Sequence, residues 1–218
     1  MIRRITQQET LSPLVLKFCQ SLTQLNGGSF NGDVDTSYSS RISQSTDNSV
    51  YQTIPQAILF PKTTEDLLQI TKLANESEYM SLKFSPRGGG TGTNGQSLTE
   101  HIIVDVSRYM REILEINVEE RWVKVQTGVI KDQLNDFLRP FGFFFAPDLS
   151  TSNRATIGGM INTDASGQGS LVYGKTSDHV LGLTAVTIGG DVVKTSQEPI
   201  INAEAKSSSN NNLATLYK

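Results

Sequence analysis

Glycine is concentrated in one short stretch of the chain, where its spacing could serve the binding of a phosphorylated ligand. Residues 86–96 read PRGGGTGTNGQ, and five of these eleven residues are glycine. Such a run costs conformational entropy, roughly 0.5–1 kcal/mol per glycine relative to alanine. A ligand lying against the main chain would offset this cost, because a Cβ atom there would collide with it. We therefore expect a nest of consecutive N–H groups for the oxygens of a diphosphate.

A second segment rich in small and polar residues lies further along the chain. Residues 151–174 read TSNRATIGGMINTDASGQGSLVYG. Two separate loops of this kind predict a long, extended ligand clamped between two lobes. FAD has that shape, and so does any other extended dinucleotide, so the residue chemistry alone leaves both open.

The glycine run also contains GTGTNG (90–95), which matches the dinucleotide pattern G-x-G-x-x-G. A Rossmann site needs a strand before this pattern and a helix that opens at the third glycine. Residues 96–100 are all that separate the glycines from the next strand-like segment, and five residues make barely one helical turn. The sequence therefore argues against a Rossmann unit.

A third nucleotide motif, GSLVYGKT (169–176), matches the Walker A pattern letter for letter. A P-loop follows a buried strand and opens a helix, and Lys175 would then bind a phosphate of ATP. The preceding residues INTDASGQ are not strand-like, and the residues after the motif read as a loop and a strand. An ATPase remains the third functional alternative, and it predicts Mg-dependent hydrolysis that Lys175→Ala abolishes.

Helical periodicity predicts three helices. Apolar residues recur at helical spacing in residues 11–25, and Cys19 lies on that apolar side. A second helix follows Thr63 or Thr64, either of which can act as its N-cap. Residues 131–142 form a third, with Gly142 at the C-cap position. Residues 27–49 are polar and predicted to be irregular, with room for a short helix.

Strand-like segments lie on both sides of the glycine run. Two short ones, 57–60 and 81–85, precede it. After it, period-two alternation and β-branched residues predict strands at 101–106, 112–117 and 122–126. Residues 180–194 predict a hairpin that turns through Gly189 and Gly190. The polar tail predicts a loop and an unfinished helix. This order predicts an α+β fold with two lobes, because regular strand–helix alternation is absent after residue 96.

Composition limits the classes of partner. The chain has 218 residues with a net charge of −3 and interspersed charges, which argues against a nucleic-acid partner. It has one cysteine, so we expect neither an internal disulfide nor a cysteine metal cluster. We find no signal peptide and no transmembrane segment, and predict a cytoplasmic protein. Peripheral attachment at the inner membrane face is the alternative location.

Several long motifs in this order resemble one flavoprotein family. They are TDNSVYQTIPQAILFPKTTEDL, PRGGGTGTNGQ, the stretch from residue 128 to 180, and the GGD hairpin. The chain resembles the FAD-linked oxidases of the vanillyl-alcohol oxidase and p-cresol methylhydroxylase (PCMH) superfamily. Within it, the chain is most similar to bacterial D-2-hydroxyacid dehydrogenases of the D-2-hydroxyglutarate dehydrogenase type. The resemblance implies a small parallel α/β lobe, an antiparallel-sheet lobe, and FAD between them.

The resemblance also implies which residues contact FAD. The glycine run would wrap the diphosphate through backbone N–H groups, a second group would approach the flavin end, and a third would line the cofactor channel. Thr91 stands where some relatives carry a histidine bound covalently to FAD, so we expect non-covalent FAD. No catalytic residue and no metal ligand is predicted within the chain. The implied cofactor-binding residues are Arg87, Gly88, Gly89, Gly90, Thr91, Gly92, Thr93, Asn94, Pro147, Asp148, Ser150, Thr156, Gly158, Gly159, Asn162, Gly167 and Gly174.

The resemblance implies three parts and a truncation. Residues 1–50 would form a helix and lead-in, 51–110 the first FAD lobe, and 111–218 a second lobe that is incomplete at its C-terminus. The missing C-terminal part of the same protein would then be a partner, carrying the iron–sulfur cluster and the site for a small 2-hydroxyacid. We expect no activity from this fragment alone. The alternative function is a non-catalytic remnant or interaction module without FAD.

Overall fold

The computed structural model describes residues 11–24 and 30–196, and the predicted tail helix lies outside them. The elements, in chain order within each type, are given in two lists. The α-helices are α1 (Pro13–Gln24), α2 (Tyr38–Ser43), α3 (Thr64–Ala74), α4 (Lys131–Leu138), α5 (Ile157–Asn162) and α6 (Ser170–Tyr173). The strands are β1 (Asp33–Asp35), β2 (Ala57–Phe60), β3 (Phe84–Arg87), β4 (Ile102–Asp105), β5 (Ile113–Asn117), β6 (Trp122–Val125), β7 (Gly182–Val186) and β8 (Val192–Ser196).

The first lobe is built on a four-stranded sheet with the order β1-β2-β4-β3. β2, β4 and β3 are parallel, whereas β1 is antiparallel to β2, with Val34 opposite Leu59. The prediction of an irregular segment at 27–49 is wrong at β1. The three residues of β1, Asp-Val-Asp, are too few to give a strand signal, and they are extended because β2 offers them a hydrogen-bonding edge.

Two helices cover one face of this sheet. Val15, Phe18 and Leu22 of α1 pack with Ile70 and other residues of α3 against alternate residues of β2 and β4. The Cys19 thiol lies in the same core, where burial raises its pKa to about 11. The opposite face buries Ile58, Phe60 and Ile103 in a second cluster. Because both faces of β2 are covered, its four residues are apolar without alternation, as expected for a parallel sheet.

The second lobe has its own core. β5 and β6 form an antiparallel pair whose apolar residues pack against Leu134 and Leu138 of α4 and against Ile157 and Met160 of α5. β7 and β8 form a separate antiparallel hairpin. This hairpin contacts the first lobe, since the Asn75 side chain donates to the Ile188 carbonyl at 2.6 Å. The lobe is therefore antiparallel, as the resemblance implies.

Two element boundaries differ from the sequence prediction. β3 begins at Phe84 instead of residue 81, because a run of turns ends there and Leu82 packs into the core. The hairpin does not turn in two residues through Gly189 and Gly190. Thr187 and Asp191 pair through their backbones, which leaves a three-residue loop, and Gly190 has the positive φ of 82° that this turn requires.

The start of α3 yields a stability prediction. Thr63 is the N-cap and forms a capping box with Asp66, which is fully buried. The Asp66 carboxylate accepts hydrogen bonds from the backbone N–H groups of Asn31, Lys62 and Thr63 at 2.6–3.0 Å. Asp66→Ala removes the charged, buried acceptor of these three N–H groups, so urea denaturation should show a loss of roughly 3 kcal/mol. The neighbouring exposed Glu65→Ala should cost less than about 0.5 kcal/mol.

Candidate functional site

The glycine loop, residues 88–101, leaves the end of β3 and returns to the start of β4 without a helix. This agrees with the argument against a Rossmann unit. No backbone N–H from residue 88 to residue 93 donates a hydrogen bond to another residue in the described part of the chain. Each of these six residues is partly or fully exposed. The loop therefore presents consecutive, accessible N–H donors, as a binding nest for an anion requires.

The first two glycines of this loop face the second segment. A Cβ on Gly88 would overlap the Thr156 hydroxyl, and a Cβ on Gly89 would overlap the Arg154 carbonyl oxygen. The expectation that only a ligand excludes Cβ atoms from the run is wrong for these two positions, because the protein itself fills that space. The structure thus brings the two predicted loops together.

The side chain of Arg87 points into the first lobe. It is 8% exposed, and its guanidinium donates to the Thr46 carbonyl at 2.7 Å and to the Ser97 hydroxyl at 3.2 Å. Burial lowers the pKa of the guanidinium, and the negative charges of Asp105 and Asp47 oppose that shift. Both terminal nitrogens of the guanidinium are engaged with protein, and the Arg87 carbonyl accepts from the Val106 N–H at 3.0 Å as part of the pairing of β3 with β4.

The short helix α5 contributes the other wall. Thr156 is its N-cap, and the Thr156 hydroxyl accepts from the Gly159 N–H at 3.3 Å. A Cβ on Gly158 would overlap the Thr127 side chain, so Gly158 serves helix packing. Gly159 is exposed, and a Cβ there would meet the Thr156 hydroxyl alone, at 3.1 Å. Gly159 and Asn162 leave this face of α5 open toward solvent.

The loop at residues 147–150 meets the glycines that follow α5. A Cβ on Gly167 would overlap the Asp148 carbonyl oxygen, which brings these two predicted residues into contact. Pro147 is buried, whereas Asp148 and Ser150 are exposed. Asn135 of α4 orients this loop, since its side-chain carbonyl accepts from the Phe145 N–H at 2.7 Å. The polar groups at 148 and 150 are therefore available to a ligand.

The Walker A resemblance at 169–176 does not have P-loop geometry. Residues 163–169 contain no strand, and Thr176 begins a four-residue 3-10 helix (Thr176–His179). The Lys175 ammonium pairs with Asp164 at 2.5 Å, and the Thr176 hydroxyl donates to the Ala165 carbonyl at 2.7 Å. These contacts tie the ends of an internal loop together. The P-loop interpretation is therefore wrong, because it lacks the strand and the helix that create a phosphate cradle.

Comparison with protein families gives the ligand class. A family model described as an FAD binding domain matches residues 55–196, which include both loops. The chain belongs to this family. The predicted FAD cofactor is confirmed at the level of the family.

The similar curated proteins are longer than this chain. It is 58% identical over 217 residues to D-2-hydroxyglutarate dehydrogenase of Escherichia coli, which covers all of this chain and 21% of that protein. It is 70% identical over 167 residues to the Haemophilus influenzae protein of the same name, covering 77% of this chain and 16% of that one. Glycolate oxidase subunit GlcD of Bacillus subtilis is 36% identical over 146 residues, with coverages of 66% and 30%. The chain spans about a fifth of the first two relatives.

Solved structures support the fold. 6-Hydroxy-D-nicotine oxidase from Arthrobacter nicotinovorans aligns with a TM-score of 0.66 at 25% identity, covering 77% of this chain and 36% of that one. Alkyldihydroxyacetonephosphate synthase aligns with a TM-score of 0.68 at 19% identity, covering 92% and 37%. The predicted α+β, PCMH-type FAD-binding fold is confirmed. Among the residues that the structure describes, no helix is long and apolar enough to cross a bilayer.

Sequence reasoning missed the residues that support the loops from behind. Thr46 and Ser97 contact the Arg87 guanidinium, and Thr127 receives Gly158. These are common polar residues without a motif, and long-range packing alone brings them to the site. Only the polarity of the 44–49 segment next to a buried strand could have signalled that this segment has a buried charged partner.

Close packing of the glycine loop makes Gly89 a structural residue. Gly89→Ala must push the Arg154 backbone away, and overpacking of this kind costs about 1–3 kcal/mol in unfolding free energy, measurable by urea titration. Gly159→Ala is the matched control, because its Cβ meets no backbone atom outside its helix and only the Thr156 hydroxyl, at 3.1 Å, and because alanine favours a helix. It should leave stability within about 1 kcal/mol of wild type. Equal costs would contradict the assignment.

The Asp164–Lys175 pair predicts a pH dependence. Lys175 and then Ser177 hold the pKa of Asp164 at about 2. Because the folded-state pKa is below the ordinary 3.8, this stabilisation is present above about pH 4 and is lost as pH falls toward 2. Asp164 has a φ of 46°, which asparagine also tolerates, so Asp164→Asn isolates the charge. The stability difference between wild type and Asp164→Asn should shrink from pH 4 to pH 2.5, and in a Lys175→Met background it should be smaller at pH 7, with the part due to Ser177 left.

Proposed function

We propose that the glycine loop binds the diphosphate of FAD, mostly through the backbone N–H groups of residues 88–93, with Arg87 and Asn94 at the two ends of this nest. The observation that carries this proposal is the run of six accessible N–H groups without a protein acceptor. Backbone amides in such a nest carry partial positive charge toward the diphosphate oxygens. Gly90 adds a φ of 62°, a conformation that glycine adopts without strain and that turns the chain around the anion.

The second segment would complete the cradle. Asp148 and Ser150, with Pro147 behind them, lie on a loop that touches Gly167, and these residues would approach the flavin end. Thr156, Gly158, Gly159, Asn162 and Gly174 would line the channel. The open face of α5 at Gly159 supports this placement, because it leaves room next to the glycine loop.

FAD binding here would be non-covalent. Position 91 is a threonine, and some flavoproteins of this kind carry at the corresponding position the histidine that bonds to the flavin. The Thr91 hydroxyl is a weak nucleophile, and no histidine or cysteine occurs between residues 86 and 96. Acid precipitation should therefore release all of the flavin from the protein.

The complete protein would oxidise a D-2-hydroxyacid, such as D-2-hydroxyglutarate or D-lactate. The names of the similar dehydrogenases support this substrate class. Bound FAD supplies the hydride acceptor for oxidation of the carbon that bears the hydroxyl group. The residues of this chain would hold the diphosphate, orient the flavin and shield one side of it from water. The substrate-contacting groups and an iron–sulfur cluster would lie in the rest of the longer protein.

The same longer polypeptide would be the main partner of this chain. Leu171 and Val172 of α6 are 97% and 77% exposed, and Leu181 and Leu183 beside the hairpin are also exposed. We propose that these side chains, as exposed apolar patches often do, mark a surface that another part of the protein covers. The remaining four-fifths of the similar dehydrogenases is the natural source of such a cover. For the complete protein we propose a cytoplasmic location, with peripheral attachment at the inner membrane face as the alternative.

FAD titration of the purified chain tests the cradle. Gly159→Val places a side chain in the open space of the channel and should weaken FAD binding at least about tenfold, equivalent to about 1.4 kcal/mol. Gly189→Val is the matched control, because a Cβ there meets only ordinary contacts in the distant hairpin loop. A wild-type chain that stays colourless would favour the non-catalytic interaction module. Unchanged affinity in Gly159→Val would contradict the channel.

A chimera tests whether this chain can serve as the FAD-binding part of a D-2-hydroxyacid dehydrogenase. This chain replaces the matching segment of the Escherichia coli dehydrogenase, to which it is 58% identical. The chimera should oxidise D-2-hydroxyglutarate with a dye as electron acceptor, and the Gly159→Val chimera should not. A chimera that binds FAD but does not oxidise D-2-hydroxyglutarate would contradict the proposed role of this chain in orienting the flavin.

A further inference from the structure

The segment that follows α2 approaches the glycine loop from the N-terminal side. Residues 44–49 form a turn. A hydrogen bond holds this turn to the residues that follow it, since the Thr53 N–H donates to the Ser45 carbonyl at 2.9 Å. Ser45 is fully buried, and its hydroxyl bonds to the Ile42 carbonyl at 2.8 Å. This turn is therefore a fixed support and not a loose lead-in.

The turn binds Arg87 at the point where the glycine loop begins. The Thr46 carbonyl accepts a hydrogen bond from one terminal nitrogen of the guanidinium at 2.7 Å. The other terminal nitrogen donates to the Ser97 hydroxyl at 3.2 Å, and Ser97 in turn donates to the Asp47 carboxylate at 3.3 Å. Arg87 is thus held by the turn on one side and by Ser97, near the end of the loop, on the other.

Two further contacts reach the middle of the loop. The Asn48 N–H donates to the Gly92 carbonyl at 3.1 Å. Gly90 lies directly over the guanidinium, because a Cβ there would overlap a terminal nitrogen of Arg87. The loop therefore has supports at its start, its middle and its end, and the turn supplies or organises each of them.

The charge of the buried guanidinium is balanced from two elements. Asp47 comes from the turn, and Asp105 from the end of β4. Asp105 is 3% exposed and accepts from the Gln44 side chain at 2.9 Å and from Ser107 at 2.7 Å. Gln44 thereby connects the turn to β4 as well. A buried cation without such partners would be costly, so Arg87 keeps this place only while the turn is in position.

We propose that residues 44–48 are positioning residues of the FAD site, which fix the glycine loop through the Arg87 guanidinium and the Gly92 carbonyl. This inference rests on the proposed function, since it assigns the loop to FAD. The region that matches the family model begins only at residue 55. The site then includes a supporting segment upstream of the matched domain, and Asp47 and Ser97 act on the ligand indirectly.

Two variants remove the support without a large change in volume. Asp47→Asn removes a charge, and Ser97→Ala breaks the bridge between Arg87 and Asp47. Asp33→Asn is the control, because Asp33 is an exposed acid on the same sheet whose partners are Lys62 and Tyr109. Circular dichroism melting confirms that each full-length chain is folded before it is tested.

The first readout needs no flavin. Trypsin must draw the Arg87 side chain into its specificity pocket, so the bond after Arg87 should be protected in wild type. Cleavage there, relative to cleavage after the exposed Arg121, should rise about tenfold in Asp47→Asn and Ser97→Ala, because each variant weakens a hydrogen bond or charge that holds the buried guanidinium in place. Asp33→Asn should match wild type. Unchanged cleavage after Arg87 in both variants would overturn the proposal.

The second readout is the dissociation constant of FAD. It should rise at least about fivefold in both variants, and Asp47→Glu, which keeps the charge, should recover part of the loss, as a charge-dependent hydrogen-bond network predicts. Faster cleavage with unchanged FAD affinity would uphold the support of the loop but contradict the loop as the FAD diphosphate site. If the wild-type chain binds no FAD, cleavage alone decides the positioning claim.

Discussion

The close approach of two backbones is the constraint on which the rest of the structure depends. Gly88 and Gly89 lie so near residues 154–156 that neither position has room for a Cβ. The glycine loop belongs to the first lobe and residues 154–156 to the second, so this contact sets how the two cores meet. Gly128 and Gly158 repeat the same device, the first against carbonyl oxygens of residues 106 and 110 and the second against Thr127. Packing within the protein therefore requires glycine at each of these positions, whether or not the residue also contacts a ligand.

The glycine loop depends on contacts with groups outside itself for its ordered conformation. The loop has few side chains to fold against, and its N–H groups from 88 to 93 find no acceptor in the described part of the chain. Other interactions must offset the conformational entropy that such a segment loses on folding. Arg87 and the turn at 44–49 offset part of this cost through buried hydrogen bonds. A bound dinucleotide would offset the remainder, so ligand affinity would depend on the order of this loop.

Local signals predicted the local structure well. The apolar run of β2, the alternation of β5 and β6, and the cap at Thr63 all depend on neighbours in sequence, and the structure has them. β1 was missed because its partner strand, not its own residues, makes it extended. The inward direction of Arg87 follows from Thr46, which is 41 residues away, and no sequence pattern records that contact. The glycine pair at 189–190 gave the right hairpin but the wrong turn, because Thr187 and Asp191 close it from outside.

The connection between β3 and β4 limits how short the glycine loop can be. These neighbouring strands are parallel, and parallel neighbours need a crossover of a dozen or more residues, usually a helix. Here the fourteen residues 88–101 make that crossing as an open loop. A deletion in this stretch should therefore strain the pairing of β3 with β4 as well as any ligand contact that the loop makes. The strand topology thus sets a minimum length for the glycine loop, whatever the loop binds.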